Sequence, residues 1–266
     1  MYPILFNIPI LGGLRLHTYG LMVAIGFLAG ILWVSMRARK EGLPPEKMMD
    51  LCFYIVLSAI FGSRLVYALA EDTALITHPL DFFKIWEGGL VFYGGLIAAV
   101  LTSGFYLWKH QLNFWKVSDI FVPGVALGHA FGRIGCFMAG CCYGKPVLDH
   151  PWWAIIFPEN PDSLAPSGLA LYPTQLLESG AEFILFGILV YASRQKKFDG
   201  QILLMYLILY SIVRSVLEIF RGDLSRGFVF NSPLSTSQFI SLILVIVSII
   251  LWVWRARQTH SMVDQP

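Results

Sequence analysis

Charge is scarce in this chain: Asp, Glu, Lys and Arg make up 14% of its 266 residues, while 56% are hydrophobic. A soluble domain of this length carries roughly a quarter charged residues, so a surface wetted on all sides is excluded and a membrane bundle is the starting class. The net charge of +2 is too small to imply nucleic acid, and the basic residues are not pooled in one tail. Cysteine is sparse as well. The four copies, Cys52, Cys136, Cys141 and Cys142, sit within or at the ends of apolar segments, which excludes a secreted disulfide framework. CxxC pairs with polar loop ligands, the usual zinc spacing, are missing, so no metal is expected. The opening MYPILFNIPILGG has neither a basic n-region nor a small-residue cleavage site, so no cleaved signal peptide is expected. Repeats of 20 to 50 residues are absent too.

Long apolar runs, by contrast, are plentiful. Seven stretches approach the roughly 20 residues a spanning helix needs: 18–36, 49–70, 88–108, 118–143, 174–192, 201–220 and 236–254. The expected fold is therefore an all-α integral membrane bundle of seven transmembrane helices, a single membrane domain over residues 1–266. With seven spans the termini lie on opposite sides. The segments around Lys40, Lys109, Lys197 and Arg255 hold eleven basic residues and the opposite segments five, so the positive-inside rule places the N-terminus outside and the C-terminus in the cytoplasm. Residues 1–17, with Pro3, Pro9, Gly12 and Gly13 among Ile, Leu and Phe, suggest an extended or interfacial outer arm. Residues 145–173 hold six prolines and a WWAIIF run, enough for a small outer cap.

One stretch demands a reason. Residues 128–144, GHAFGRIGCFMAGCCYG, place Arg133 inside an apolar segment. A guanidinium stays protonated at any working pH, and burying it in hydrocarbon costs roughly 3 kcal/mol on the mildest scale. Glycines at 128, 132, 135, 140 and 144 strip side chains from the helix, so another backbone or a lipid head group can approach. The plain alternative is a packing seam in which Arg133 pairs with one buried carboxylate.

Counting depth at about 1.5 Å per residue from each outer helix end gathers the embedded polar groups in one leaflet. Helix one brings Tyr19, helix two Ser63 and Arg64, helix three Tyr93, helix four His129 and Arg133. Helix five adds Gln175, Glu178 and Glu182, and helix six Arg214 and Glu218 before Arg221. A conduction path would leave polar groups through the full thickness, and here Asp119 is the main one elsewhere. A one-sided site suits chemistry on a lipid head group. The arginines can pair with Glu218 and the helix-five carboxylates, yet their planar fork also suits phosphate. Arg214, Glu218 and Arg221 share one helix face, which also fits a salt-bridge ladder between helices.

At these residues the sequence resembles the bacterial prolipoprotein diacylglyceryl transferases. The likeness is carried by LHTYGLM at 16–22, FGSRLVY at 61–67, WEGGLVFYGGL at 86–96, GRIGCFMAGCCYG at 132–144, YPTQLLE at 172–178 and RSVLEIFR at 214–221. The resemblance implies transfer of a diacylglyceryl group from phosphatidylglycerol to the lipobox cysteine thiol of a prolipoprotein, with release of glycerol phosphate. It implies a multi-pass protein of the bacterial inner membrane with its active site in the outer leaflet. No metal or organic cofactor is implied. The family's two essential arginines fall on Arg133 and Arg214, its first-helix tyrosine on Tyr19, the closing glycine of its signature on Gly144 and its sixth-helix glutamate on Glu218. Three positions depart from the pattern: Tyr93 stands for the usual histidine, Cys136 for asparagine and Cys141 for glutamate, as in a cysteine-rich variant of the signature.

On this reading Arg133 and Arg214 stabilise the leaving phosphate, while Tyr19, Arg64, Cys136, Gly144 and Glu218 bind substrate. The incoming thiol, with a reference pKa of about 8.5, needs a base or a positive potential to ionise. His129, four residues before Arg133 on the same helix face, is the expected base, and Tyr93 its rival. Two other classes share the bundle: a transporter or channel, and a thiol-redox protein using Cys136, Cys141 and Cys142.

Overall fold

The computed structural model describes residues 2–8, 14–70, 81–83, 89–149, 151–222 and 235–263. Pro9, Gly12 and Gly13 of the expected arm, Lys84 and Arg226 of the charge count, and Trp86, Glu87 and Gly88 of the third-helix motif lie outside them. Seven α-helices stand among the described residues: α1 (Thr18–Lys40), α2 (Pro45–Ala70), α3 (Phe92–Lys109), α4 (Phe114–Ala139), α5 (Thr174–Ala192), α6 (Gln201–Glu218) and α7 (Thr236–Val263). Six are long and apolar enough to cross a membrane, the exception being α3. Four short strands accompany them, so the chain is predominantly, not purely, helical.

The arm at the N-terminus holds two paired strands. Strand β1 (Ile4–Ile8) runs antiparallel to β2 (Leu14–His17), pairing Ile4 with His17 and Phe6 with Leu16. Within residues 145–173, β3 (Ile155–Ile156) pairs with β4 (Ala170–Leu171) over buried Phe157, Ala165 and Leu171. Arg15 of β2 meets Asp162 of that segment at 3.8 Å.

Two compact units divide the described residues, one of residues 1–33 and 118–266, the other of residues 34–117. In the first, α4, α5 and α6 share a core of Val122, Ala126, Leu185, Leu189, Ile202 and Tyr206. α1 closes on α4 backbone to backbone: a Cβ on Gly26 would stand 2.8 Å from the carbonyl oxygen of Gly128. Gly128 and Gly135 of the glycine run thus form a packing seam with α1, as small-residue helix contacts in membranes require, while Gly132 meets nothing within 4 Å. α1 and α7 bury little of their length in the chain, and Leu28, Leu32 and Ile250 face outward.

Helix ends are set by side chains. Ser235 Oγ accepts from the Gln238 amide at 3.2 Å while Gln238 Oε1 accepts from the Ser235 amide at 3.1 Å, a reciprocal box that starts α7. Asp119, the polar residue that stood apart in the sequence, caps α6 from a distance. It accepts from the amides of Gly200, Ile202 and Leu203 at 2.8, 2.9 and 3.0 Å, with Lys196 at 3.4 Å. A buried carboxylate at a helix N-terminus needs no further role to explain it.

α4 ends at Ala139, four residues short of the expected 143. Gly140 (φ 72°) and Cys142 (φ 57°) take the left-handed conformation and reverse the chain. In the second unit α2 and α3 pack at Gly62 and Gly94, again with backbones in close approach. α1 and α4 each contribute residues to both units.

Candidate active site

Arg133 lies in the last two turns of α4 and is 14% exposed. Its Nη2 meets Glu178 Oε1 at 2.9 Å, and its Nε donates to His129 Nε2 at 3.2 Å. His129 Nδ1 lies 2.8 Å from Oε1 of Glu182, whose side chain is 0% exposed. Both acceptors come from α5, where Glu178 and Glu182 are one turn apart on the face held to α4 by the Ser179 hydroxyl donating to the Ala130 carbonyl at 2.9 Å.

The chain of contacts fixes its own protonation. Arg133 Nε carries a hydrogen and can only donate, so His129 Nε2 must be the lone-pair nitrogen. Nδ1 then carries the imidazole hydrogen and donates to Glu182 Oε1. Arg133 Nη1 is left without a hydrogen-bond partner among the described residues.

Arg214 repeats the pattern on α6. Its Nη2 meets Glu218 Oε2 at 2.7 Å one turn on, and its Nη1 is buried with no partner among the described residues. Tyr210, one turn before Arg214, lies within electrostatic range of both arginines and of Glu178 and Glu182, and its ring stands 5.5 Å from that of His129. The two arginines therefore converge on one neighbourhood. Sequence reasoning missed Tyr210 as a member, although its four-residue spacing to Arg214 puts both on one helix face.

Beside the arginines the signature loop is pinned to the start of α5. Thr174 Oγ1 donates to the Cys142 carbonyl at 3.1 Å and Gln175 Nε2 to the Cys141 carbonyl at 2.9 Å. Gly144 pairs with Arg221 in a β-bridge, and a Cβ on Gly144 would collide with the Tyr172 carbonyl. Tyr19 lies against Gly135, where a Cβ would stand 3.2 Å from its ring. The thiol sulfurs of Cys136, Cys141 and Cys142 all lie within 4.8 Å of one another. The sequence spacing gave no warning of that cluster, because it is made by the left-handed turns after Ala139.

Of the expected site residues, Tyr19, His129, Arg133, Cys136, Gly144, Arg214 and Glu218 thus belong to the first unit. Arg64 and Tyr93 belong to the second. Arg64 is buried and donates to the carbonyls of Phe82 at 3.0 Å and Gly89 at 3.3 Å, with its guanidinium carbon 5.6 Å from the Tyr67 ring centre. Tyr93, in the first turn of α3, is 61% exposed.

Fold and site together define a multi-pass helical membrane protein with two carboxylate-held arginines beside a three-thiol loop. The prolipoprotein diacylglyceryl transferase family model matches residues 3–254. The phosphatidylglycerol–prolipoprotein diacylglyceryl transferase of Clostridium tetani (strain Massachusetts / E88) is 37% identical over 252 residues, 95% of this chain and 97% of that protein. Proteins of the same name from Legionella pneumophila (strain Paris) and Bordetella parapertussis are 36% identical over 262 residues and 35% over 253, covering 97% and 94% of their lengths. The chain belongs to the prolipoprotein diacylglyceryl transferase family.

Proposed function

We propose that the chain moves the diacylglyceryl group of phosphatidylglycerol onto the lipobox cysteine thiol of a prolipoprotein, forming a thioether and releasing glycerol phosphate. The observation that carries this reading is the pair of half-buried arginines, each held against a carboxylate through Nη2 and each with Nη1 without a hydrogen-bond partner among the described residues. Charge grows on the phosphate oxygen as the glycerol carbon–oxygen bond breaks, so donors fixed beforehand stabilise the transition state more than the bound lipid. Purified protein incubated with phosphatidylglycerol and a lipobox peptide is expected to give peptide heavier by one diacylglyceryl group. Unchanged peptide mass would overturn the assignment.

The chain acts as one membrane domain of seven spans in the bacterial inner membrane, with α3 as the short third span and residues 145–173 outside. The arginines then lie toward the outer leaflet, where phosphatidylglycerol and the precursor's signal helix can enter sideways between helices. With Asn160 replaced by cysteine, a membrane-impermeant thiol reagent is expected to label intact cells. Labelling only after access to the inner face would reverse the orientation.

His129 serves in this reading to position Arg133. Its Nε2 lone pair is already taken by the arginine, so the geometry speaks against direct removal of the thiol proton. The charged and titratable groups around it are Arg133, Glu178 at 3.9 Å, Glu182 and Tyr210. A proton on Nε2 would set N–H against N–H. His129→Ala is expected to lower transfer about tenfold to a hundredfold, the cost of a misplaced catalytic group, and more than Tyr93→Phe does. Raising the pH from 7 to 9 is expected not to restore it. Recovery at high pH, read from rate profiles, would instead make His129 the base. Arg64 in this reading ties down the segment after α2.

A further inference from the structure

The three-thiol loop has no part in the leaving-group chemistry, and its construction calls for one. Cys142 holds a left-handed backbone, a conformation that a side chain adopts only where the surroundings enforce it and one that gathers at functional sites. The enforcement is visible: the carbonyls of Cys141 and Cys142 are each held by a side chain of α5, and the Cys141 amide donates back to the Cys136 carbonyl at 3.1 Å. Three free thiols are thereby gathered with their sulfurs within 4.8 Å of one another before any ligand arrives.

Soft sulfur donors in such number select zinc among the common divalent ions. A zinc–sulfur bond is about 2.3 Å, so a tetrahedral site needs sulfurs about 3.8 Å apart, within about 1 Å of the spacing already present. Three protein ligands with a fourth position open is the arrangement of catalytic zinc, where closed structural sites use four.

We propose that Cys136, Cys141 and Cys142 bind one zinc ion whose fourth position takes the incoming substrate thiol. The inference rests on the proposed transfer reaction, because it supplies the ionised thiol that reaction needs. Binding exchanges three cysteine protons for the cation, and the substrate thiol releases its own proton to solvent on coordination, as metal-bound thiols do. The sulfur then forms its bond to the glycerol carbon while the carbon–oxygen bond breaks, and that electron pair leaves on the phosphate oxygen. The thioether, a weak ligand, departs and the position reopens. Four thiolates on one zinc carry two net negative charges, and Arg133 and Arg221 both lie within electrostatic range of Cys142 to offset them.

Protein purified in detergent without chelator is expected to hold about one zinc per chain by elemental analysis. Cys141→Ser and Cys142→Ser are each expected to lower that content at least about tenfold, with helical content and elution volume unchanged; Cys136→Ser, inside α4 and buried, is the third variant. Wild-type protein reloaded with cobalt is expected to show sulfur-to-metal charge-transfer bands. Its visible bands should shift on adding a lipobox peptide without phosphatidylglycerol, and not with a peptide carrying serine for cysteine. Wild type that takes up neither metal, or uptake unaltered in all three serine variants, overturns the site. Uptake with a cobalt spectrum indifferent to the thiol peptide overturns its role. Transfer by Arg133→Ala, assayed in parallel, separates the two ideas: undiminished transfer there refutes the proposed reaction's leaving-group chemistry, whereas metal content tests the thiol cluster alone.

Discussion

Replacing Arg133 by alanine is expected to lower diacylglyceryl transfer at least about a thousandfold. Loss of one preorganised donor to a developing oxyanion costs about a hundredfold to a thousandfold, and here a full charge is lost with the donor. The geometry allows little substitution by neighbours, since Glu178 at 2.9 Å and His129 at 3.2 Å hold the guanidinium by two different nitrogens and aim its third. Arg133→Lys is expected to retain only a small residue of activity, because an ammonium cannot bridge Glu178, His129 and a phosphate at fixed angles. The alanine variant also strands Glu178, 3% exposed, without its cation. A buried carboxylate left unpaired costs about 3 to 5 kcal/mol, so thermal unfolding must be measured beside turnover. The double variant Arg133→Ala/Glu178→Gln removes that stranded charge. If it folds as wild type does and still transfers at near wild-type rate, Arg133 has no part in the chemistry.

How much of this was legible in advance follows from what each feature depends on. Helices that cross hydrocarbon must satisfy every backbone group internally, so the apolar runs marked α1, α2, α4, α5, α6 and α7 to within a few residues at most ends. Arg133 and Arg214 were legible for the converse reason, as charges too costly to sit there idle. The pairing of β1 with β2 was not, because a run of Ile, Leu and Phe broken by Pro and Gly fits an interfacial coil equally well. The end of α4 was not either: nothing in CFMAGCCYG distinguishes a helix running on to residue 143 from one that turns back at Gly140. That single difference assembles the three thiols, which on a continuing helix would point in different directions. His129 and Glu182 were both visible as polar, but their pairing needed the α4 to α5 register. That register also shows which nitrogen of His129 is occupied, and the proposed positioning role rests on that contact.

Arg214→Ala is expected to lower turnover about a hundredfold to a thousandfold, with a smaller change in the lipid concentration needed for half-maximal rate. Two readings of this residue predict different measurements. As a rung in a salt-bridge ladder, its partner would stand on another helix, and its loss would lower thermal stability while leaving the rate of folded enzyme alone. The ion-pair partner found among the described residues is Glu218, one turn along the same helix at 2.7 Å, and that contact by itself is within α6 rather than between helices. What it does is hold Nη2, so that Nη1, buried and without a partner among the described residues, keeps a fixed direction. A buried guanidinium nitrogen with an unmet donor costs stability in the resting protein, and an anionic ligand repays it. Glu218→Gln is accordingly expected to cost less than Arg214→Ala, because the charge stays on the arginine. Arg214→Ala protein that turns over at the wild-type rate but melts at a lower temperature would return the residue to the ladder and leave the leaving phosphate to Arg133 alone.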